Sequence, residues 1–329
     1  MAYTAIDNPE LYFQTKIYTG DGNDDRDIVF DVTDTSMQPN MLWSARRDSG
    51  DNLSIYDSVR GDGKELRTAS TGAELDRSDN IQALNSNGFQ VGTDGQVNAD
   101  SGTYVSWAWK ESATSGFDIV ARTGDGNAGT VSHNLSAVPR FIITKCRSAT
   151  EQWIVQNGSL GATKHLILDS NAAESTAGNR WNDTTPTTSV YSIGTDADVN
   201  GNTETFIDYV FASVQGFSKV GGSYTGNGAN NFIYTGFSPA WVMIKKTDDT
   251  HDWHIFDNKR DAFNPRDSWL EANTAGAEAT SSNYVVDFLS NGFKTGSGSG
   301  LNGSGETFIY MAFAEAPFVN SNGVPCNAR

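Results

Sequence analysis

Disulfide chemistry is missing from this chain: its 329 residues hold two cysteines, Cys146 within RFIITKCR and Cys326 near the C-terminal end. Two such separated thiols give no disulfide framework, and Cys146 reads as a buried structural thiol. Basic residues are scarce, with 23 Lys and Arg against 40 Asp and Glu and a net charge of −17. That balance excludes nucleic acid and anionic lipid surfaces as partners, since both are held mainly through Lys and Arg. No apolar run approaches the length of a membrane span, and MAYTAIDNPELYFQ lacks the basic and apolar regions of a secretory signal. The expectation is a chain made and folded in a cytosol, without membrane insertion. Charged residues are only 19% while glycines number 33, which describes a turn-rich globular protein of the all-β class.

Catalytic and metal-binding patterns are equally thin. Gly124-Asp125-Gly126-Asn127-Ala128-Gly129 satisfies G-x-G-x-x-G, but the residues that follow read as turn and strand, whereas a pyrophosphate needs a helix N-terminus there. Asp196, Asp198, Asn200 and Gly201 match the first half of a calcium loop. The second half fails, because Ile207 stands where the bidentate Glu belongs. Asp21, Asn23, Asp25 and Asp27 form another spaced acidic loop, with Arg26 in place of the required Gly. His251 and His254 lie three apart in a segment read as strand, which places them on opposite faces. His133 and His165 have no nucleophile recurring beside them. No catalytic, cofactor-binding or metal-binding residue is therefore assigned.

What the chain does have is a repeat. The turn YTGDGN at Tyr18 recurs as RTGDGN at Arg122 and YTGNGA at Tyr224. Pro39, Pro139 and Pro239 stand 100 residues apart, and Tyr104, Phe206 and Phe308 stand 102 apart in the closing aromatic strand. Ala73-Glu74, Ala173-Glu174 and Ala277-Glu278 mark a further shared position. A period this long exceeds that of solenoids and gives each unit enough chain for a core of its own. The expected organisation is an arm at 1–14, units at 15–113, 114–216 and 217–318, and a tail at 319–329. Within a unit, segments such as Thr205–Phe211 and Lys164–Leu168 alternate in polarity, and Asn-Gly pairs supply turns, so the fold expected is three tandem antiparallel β-sandwiches of jelly-roll or lectin-like type. Strands are expected near Phe141–Lys145, Trp153–Gln156, Val190–Ile193, Ala240–Lys245 and Trp253–Phe256, and helix only in short pieces such as Arg77–Leu84. The brief linkers imply docked neighbours.

Trp107 and Trp109 share a strand face and read as core. Trp181, in GNRWNDTTP, has turn-forming polar neighbours and is the candidate for stacking on a sugar ring. The repeats SPAWVMIKK, DWHIFDNKRD, DFLSNGF and ETFIYMAFAEAPF in unit 3, GATKHLILDSNAAEST in unit 2 and YDSVRGDGK in unit 1 resemble a repeat domain of tailed phages of marine bacteria, associated with virion structural and tail-fibre proteins. The resemblance implies a non-enzymatic virion protein, a tail fibre or adhesin or alternatively a capsid decoration protein. It implies other virion proteins and a host surface glycan as partners, and multiple copies or a homo-oligomer in the particle. Two further expectations follow from the repeat itself. Unit 3 alone, Phe217–Phe318, should fold cooperatively, and the divergent loops 48–52, 148–152 and 247–251 should make the units face different things.

Overall fold

The computed structural model describes residues 3–31 and 35–326; residues 1–2 of the arm, 32–34, and 327–329 of the tail lie outside the described residues. Alternating apolar positions become strands throughout, and the chain is all-β, built of several antiparallel sheets, none of them closed. One six-stranded sheet occurs three times with the same strand order. In unit 1 the order is Phe13–Thr19, Thr103–Trp109, Met41–Arg46, Ser54–Asp57, Lys64–Arg67 and Leu75–Asp76. The expected strands appear at Phe141–Cys146, Ile154–Asn157, Val190–Ile193, Phe237–Lys246 and His254–Asp257. Arg77–Leu84 is not helical: it turns and then enters the strand Ile81–Asn85, while helix is limited to single turns such as Gly95–Asn98 and Ala197–Asn200. Polar composition alone favoured helix there, and pairing with Gly88–Val91 decides otherwise.

Each large sheet is covered on both faces, which explains why its central strands are buried at nearly every position. In unit 1, Leu42, Tyr56 and Ala108 pack on Ile28, Ile81, Phe89 and Val91 of a small three-stranded sheet. Unit 2 does the same with Ile142, Ile154 and Val210 against Tyr191 and Ile193. The opposite faces, carrying Trp43 and Trp107, Ile143 and Tyr209, and Met243 and Met311, join one apolar cluster common to all three units. At its centre Phe313 of unit 3 lies 5.6 Å from Trp109 of unit 1 and 6.1 Å from Phe211 of unit 2, ring centre to ring centre. Residues 109, 211 and 313 are the same position of the repeat, so the units surround an approximate threefold axis.

The linkers are hairpins that hold this arrangement. Ser112 and Phe117 exchange backbone hydrogen bonds of 2.9 and 3.2 Å, and Val214 and Ser218 exchange bonds of 3.2 and 2.8 Å. Gly116 has φ +69°, and a Cβ there would meet the Ala212 carbonyl oxygen at 2.4 Å. Only glycine fits such a position without displacement. The arm crosses to the far end of the chain, where the Tyr3 hydroxyl donates to the Gly236 carbonyl at 2.8 Å and the Ser321 amide donates to Asp7 Oδ1 at 2.7 Å.

Candidate functional site

The residues singled out in the sequence take up mostly structural positions. Trp181 is a correction: it is 0% exposed, packed with Leu135, Tyr191 and Val199 in the private core of unit 2. Its neighbours Gly178, Asn179 and Arg180 form with it a one-turn helix, closed by Asn182 in the left-handed conformation, and the indole lies in the core, so no sugar ring reaches it. The Gly-rich turn is a pinned connection that carries the chain from the six-stranded sheet to the small one. Asn200 Nδ2 donates to the Asn127 carbonyl at 2.7 Å and to Asp125 Oδ1 at 3.2 Å, and Asn98 serves the turn of unit 1 in the same way. Positive φ falls on Gly22, Gly126 and Gly228 of that turn, whereas among the Asn-Gly pairs cited for turns it occurs at Gly88. Asp198 meets Arg180 Nη2 at 2.5 Å, and Asp196 caps the helix that follows.

His251 and His254 are a second correction. His251 precedes the strand, so the pair is not confined to opposite faces, and their ring centres lie 4.8 Å apart. His254 stacks on Tyr284 at 4.5 Å. Burial pushes its pKa down to about 3, with the nearby His251 adding to the effect and the Asp252 carbonyl opposing it. His165 is likewise lowered to about 4, by burial and then by Arg180. In both cases the unfolded chain, with an ordinary histidine pKa near 6.5, takes the proton first. Their stabilising effect is therefore full above pH 6.5 and is lost as pH falls toward the folded values. Glu111, whose carboxyl is raised to about 7 by burial and by Asp118, acts in the opposite sense over that range. His254→Ser, which copies Ser54 of unit 1, is expected to flatten the fall in melting temperature between pH 6.5 and 5. Parallel thermal melts of the two proteins at several pH values measure it.

Glu74, Glu174 and Glu278 belong to the contacts between units. The Glu74 amide donates to the Arg147 carbonyl at 2.8 Å, and Arg147 Nε and Nη2 grip its carboxylate, both at 2.9 Å. The Glu278 amide donates to the Arg47 carbonyl at 2.8 Å, with Arg47 Nε and Nη2 at 3.0 and 2.8 Å. The Glu174 amide donates to the Thr247 carbonyl at 2.8 Å, and its carboxylate turns back to Lys164 of its own unit. Unit 1 thus holds unit 2, unit 2 holds unit 3, and unit 3 holds unit 1, which closes a ring.

Behind the two arginine clasps lies a buried relay. Arg60 Nη1 reaches Glu74 at 3.2 Å and its Nε reaches Asp57, whose Oδ2 accepts from the Tyr209 hydroxyl at 2.7 Å. Arg260 repeats this between Glu278 and Asp257, and Asp257 accepts from Trp107 Nε1 at 3.1 Å. At the remaining junction the same positions hold Asn157, Leu160 and Met311. That junction keeps the backbone contacts it shares with the junction of units 1 and 2: Lys245 Nζ donates to the Asn171 carbonyl at 3.1 Å and Trp253 Nε1 to the Ile167 carbonyl at 3.0 Å, as Lys145 does to Thr71 and Trp153 to Arg67. Comparing positions 57, 60 and 47 across the three units would have exposed this relay in the sequence, since Asp, Arg and Arg are lost together at one junction. Glu74→Ala and Glu278→Ala are expected to cost about 2–3 kcal/mol each, because each takes one of two carboxylates from a buried arginine and the whole clasp from a second arginine. Glu174→Ala, with a half-exposed lysine partner, is expected to cost under about 1 kcal/mol. Denaturant melts of the three variants test the order.

The loops expected to face different ligands face sister units. The Glu151 amide donates to the Thr71 carbonyl and the His251 amide to the Asn171 carbonyl, at 3.0 and 2.8 Å, while a Cβ on Gly50 would meet the Ala275 carbonyl oxygen at 2.9 Å. Their sequences diverge because each fits a different neighbour.

The threefold pattern is broken a second time, in unit 3. Where unit 2 has the short turn Leu160-Gly161-Ala162-Thr163, unit 3 carries the longer loop Asp261–Asp267. Asp261 closes its neck, accepting from the Ser268 amide at 2.9 Å and the Ser268 hydroxyl at 3.0 Å. Asn264 is held by the Phe288 backbone, through bonds of 2.9 Å in each direction. Phe263 at the tip is 86% exposed. The loop borders a cleft of about 520 Å³ whose lining includes Phe263, Asn264, Arg266, Phe288, Asn291 and Glu315. Among the described residues, no group of His, Cys, Asp and Glu is placed to hold a metal ion, and no helix is long and apolar enough to cross a membrane.

No curated protein matches the chain. A single match to the family described as "Domain of unknown function (DUF7483)" covers residues 8–317 and takes in all three units. The chain, from the arm to the end of the third closing strand, belongs to that family.

Proposed function

We propose that the units are antiparallel β-sandwiches of jelly-roll or lectin-like kind, and that their ring is a non-enzymatic structural protein displayed on a tailed-phage particle, where it serves in host attachment. The observation that carries the reading is the loop of unit 3: the repeated acidic residues are spent on holding the ring together, while one unit alone departs from the pattern to present an exposed aromatic beside a cleft. Binding surfaces are normally built this way, on loops carried by a rigid scaffold. The sequence resemblance to tail-fibre repeats supports the location, and a net charge of −17 suits a protein crowded at high local concentration. Capsid decoration is the second reading, favoured by the approximate threefold axis, which would match a threefold position of a shell.

Cys326 is exposed and Cys146 is buried, so a thiol-directed gold label marks one site on the folded protein. Electron microscopy of labelled particles is expected to show gold on the tail appendages. Gold on the head would replace attachment with decoration, and particles without the protein would remove both readings.

A further inference from the structure

The cleft of unit 3 contains a buried cation that no carboxylate among the described residues meets within ion-pair distance; Glu315, on the same lining, acts on it from farther away. Arg60, Arg122, Arg180 and Arg260 each meet a carboxylate at 2.5 Å. Arg266 is just as buried, at 7% exposed, yet it has no ion-pair partner among the described residues, and its Nε has no hydrogen-bond partner there. Nη1 is bonded by Asn264 Oδ1, and the guanidinium lies 4.4 Å over the Phe288 ring. A buried charge is normally paired, because desolvating it alone is costly. Here the unpaired group lines an open cleft, in a loop whose shape is held by Asp261 and Asn264.

We infer that this cleft binds an acidic saccharide, with the sugar carboxylate on Arg266 and a sugar face against Phe263. A planar guanidinium recognises a carboxylate through charge-assisted hydrogen bonds; with Nε enclosed by protein and Nη1 donating to Asn264, Nη2 is the nitrogen that Arg266 has to give. Phe263 supplies the apolar platform that a pyranose face requires. Glu315 and Asn291, on the same lining, accept from and donate to hydroxyls. Glu315 also penalises a ligand with a second negative group, which favours a single uronic acid unit over a sulfated or phosphorylated one. The cleft's volume of about 520 Å³ lies within the range of small-molecule sites. Unit 2 has neither the loop nor an arginine at this place, so one site per chain is expected. This inference gives a ligand class to the attachment reading and takes its biological meaning from it.

The test is calorimetric titration of the full chain with a glucose oligosaccharide ending in one glucuronic acid unit, and with the neutral glucose oligosaccharide of equal length. Saturable binding of the acidic oligomer at one site is expected, with little for the neutral one. Arg266→Gln and Phe263→Ala are each expected to weaken it by about tenfold or more. Phe263 is exposed, so its variant keeps the fold even if Arg266→Gln does not. Absence of binding, equal binding of the neutral sugar, or indifference to Phe263→Ala overturns the proposal. Gold on the tail together with no uronate binding would retain attachment and discard this ligand; uronate binding by a protein found on the head would do the reverse.

Discussion

Asp257→Ala is expected to destabilise the chain by about 3–5 kcal/mol, the cost of breaking a buried charge pair. Both carboxylate oxygens are in use: Oδ1 accepts from the Lys259 and Arg260 amides at 3.0 and 2.8 Å, and Oδ2 accepts from Arg260 Nε and from Trp107 Nε1 of unit 1. Arg260 is fully enclosed and lies 5.6 Å over the Trp107 ring, so no water replaces the lost partner. Unit 2 supplies the control. It carries Asn157 and Leu160 at these two positions, so the double change Asp257→Asn with Arg260→Leu removes both charges together and is expected to cost much less than Asp257→Ala. Urea denaturation of the two variants decides; equal losses would mean that the pair is not coupled. Burial by itself raises the Asp257 pKa, but Arg260 outweighs it and the net shift is downward. Its contribution is therefore complete above the ordinary aspartate value and is lost as pH falls through the lower folded value.

Unit 3 expressed alone, residues 217–318, is expected not to fold cooperatively, which revises what the repeat by itself suggests. Trp241 is packed by Phe13, Trp107 and Trp109 of unit 1, and Phe313 by Phe13 and Trp109 of unit 1 and Phe211 of unit 2. Trp253 is buried with its indole nitrogen bonded to unit 2. Exposing side chains of this kind forfeits about 1.5–3 kcal/mol each. Adding Met243, Met311 and Ile255 from the same shared cluster brings the loss to the size of a whole domain's stability, about 5–15 kcal/mol. The fragment should show a broad melt and strong dye binding, and adding residues 1–216 should restore a sharp transition. A sharp melt of the fragment alone would show that each unit carries its own stability.

Much of this architecture can be read from the residues. The 100-residue period, the strands and the paired Trp107 and Trp109 follow from turn chemistry and alternation, because those are local. The ring is not local. Alternation says that a strand has two faces, but not that Leu42 meets its own small sheet while Trp43 joins the cluster common to all three units. Trp181 misled for a related reason: polar neighbours signal exposure only where the chain does not curl, and a single helical turn was enough to reverse it. Glu74 and Glu278 looked like loop acids because their arginines lie 73 and 231 residues away. Arg266 stood in the open, since an arginine in a polar loop gives no sign that it will be buried unpaired.

The contact between Asp7 and Ser321 bears on how the gene could be rearranged. With the two ends of the ring joined through that pair, the order in which ribosomes deliver the units is a historical accident, and the polypeptide could be opened elsewhere without changing the object it makes. A circular permutant that links the tail to the arm and begins at Phe117 would meet the same neighbours at every junction. It would carry its new ends at the hairpin between the first two units and leave the loop of unit 3 unbroken, free to be read by whatever it touches.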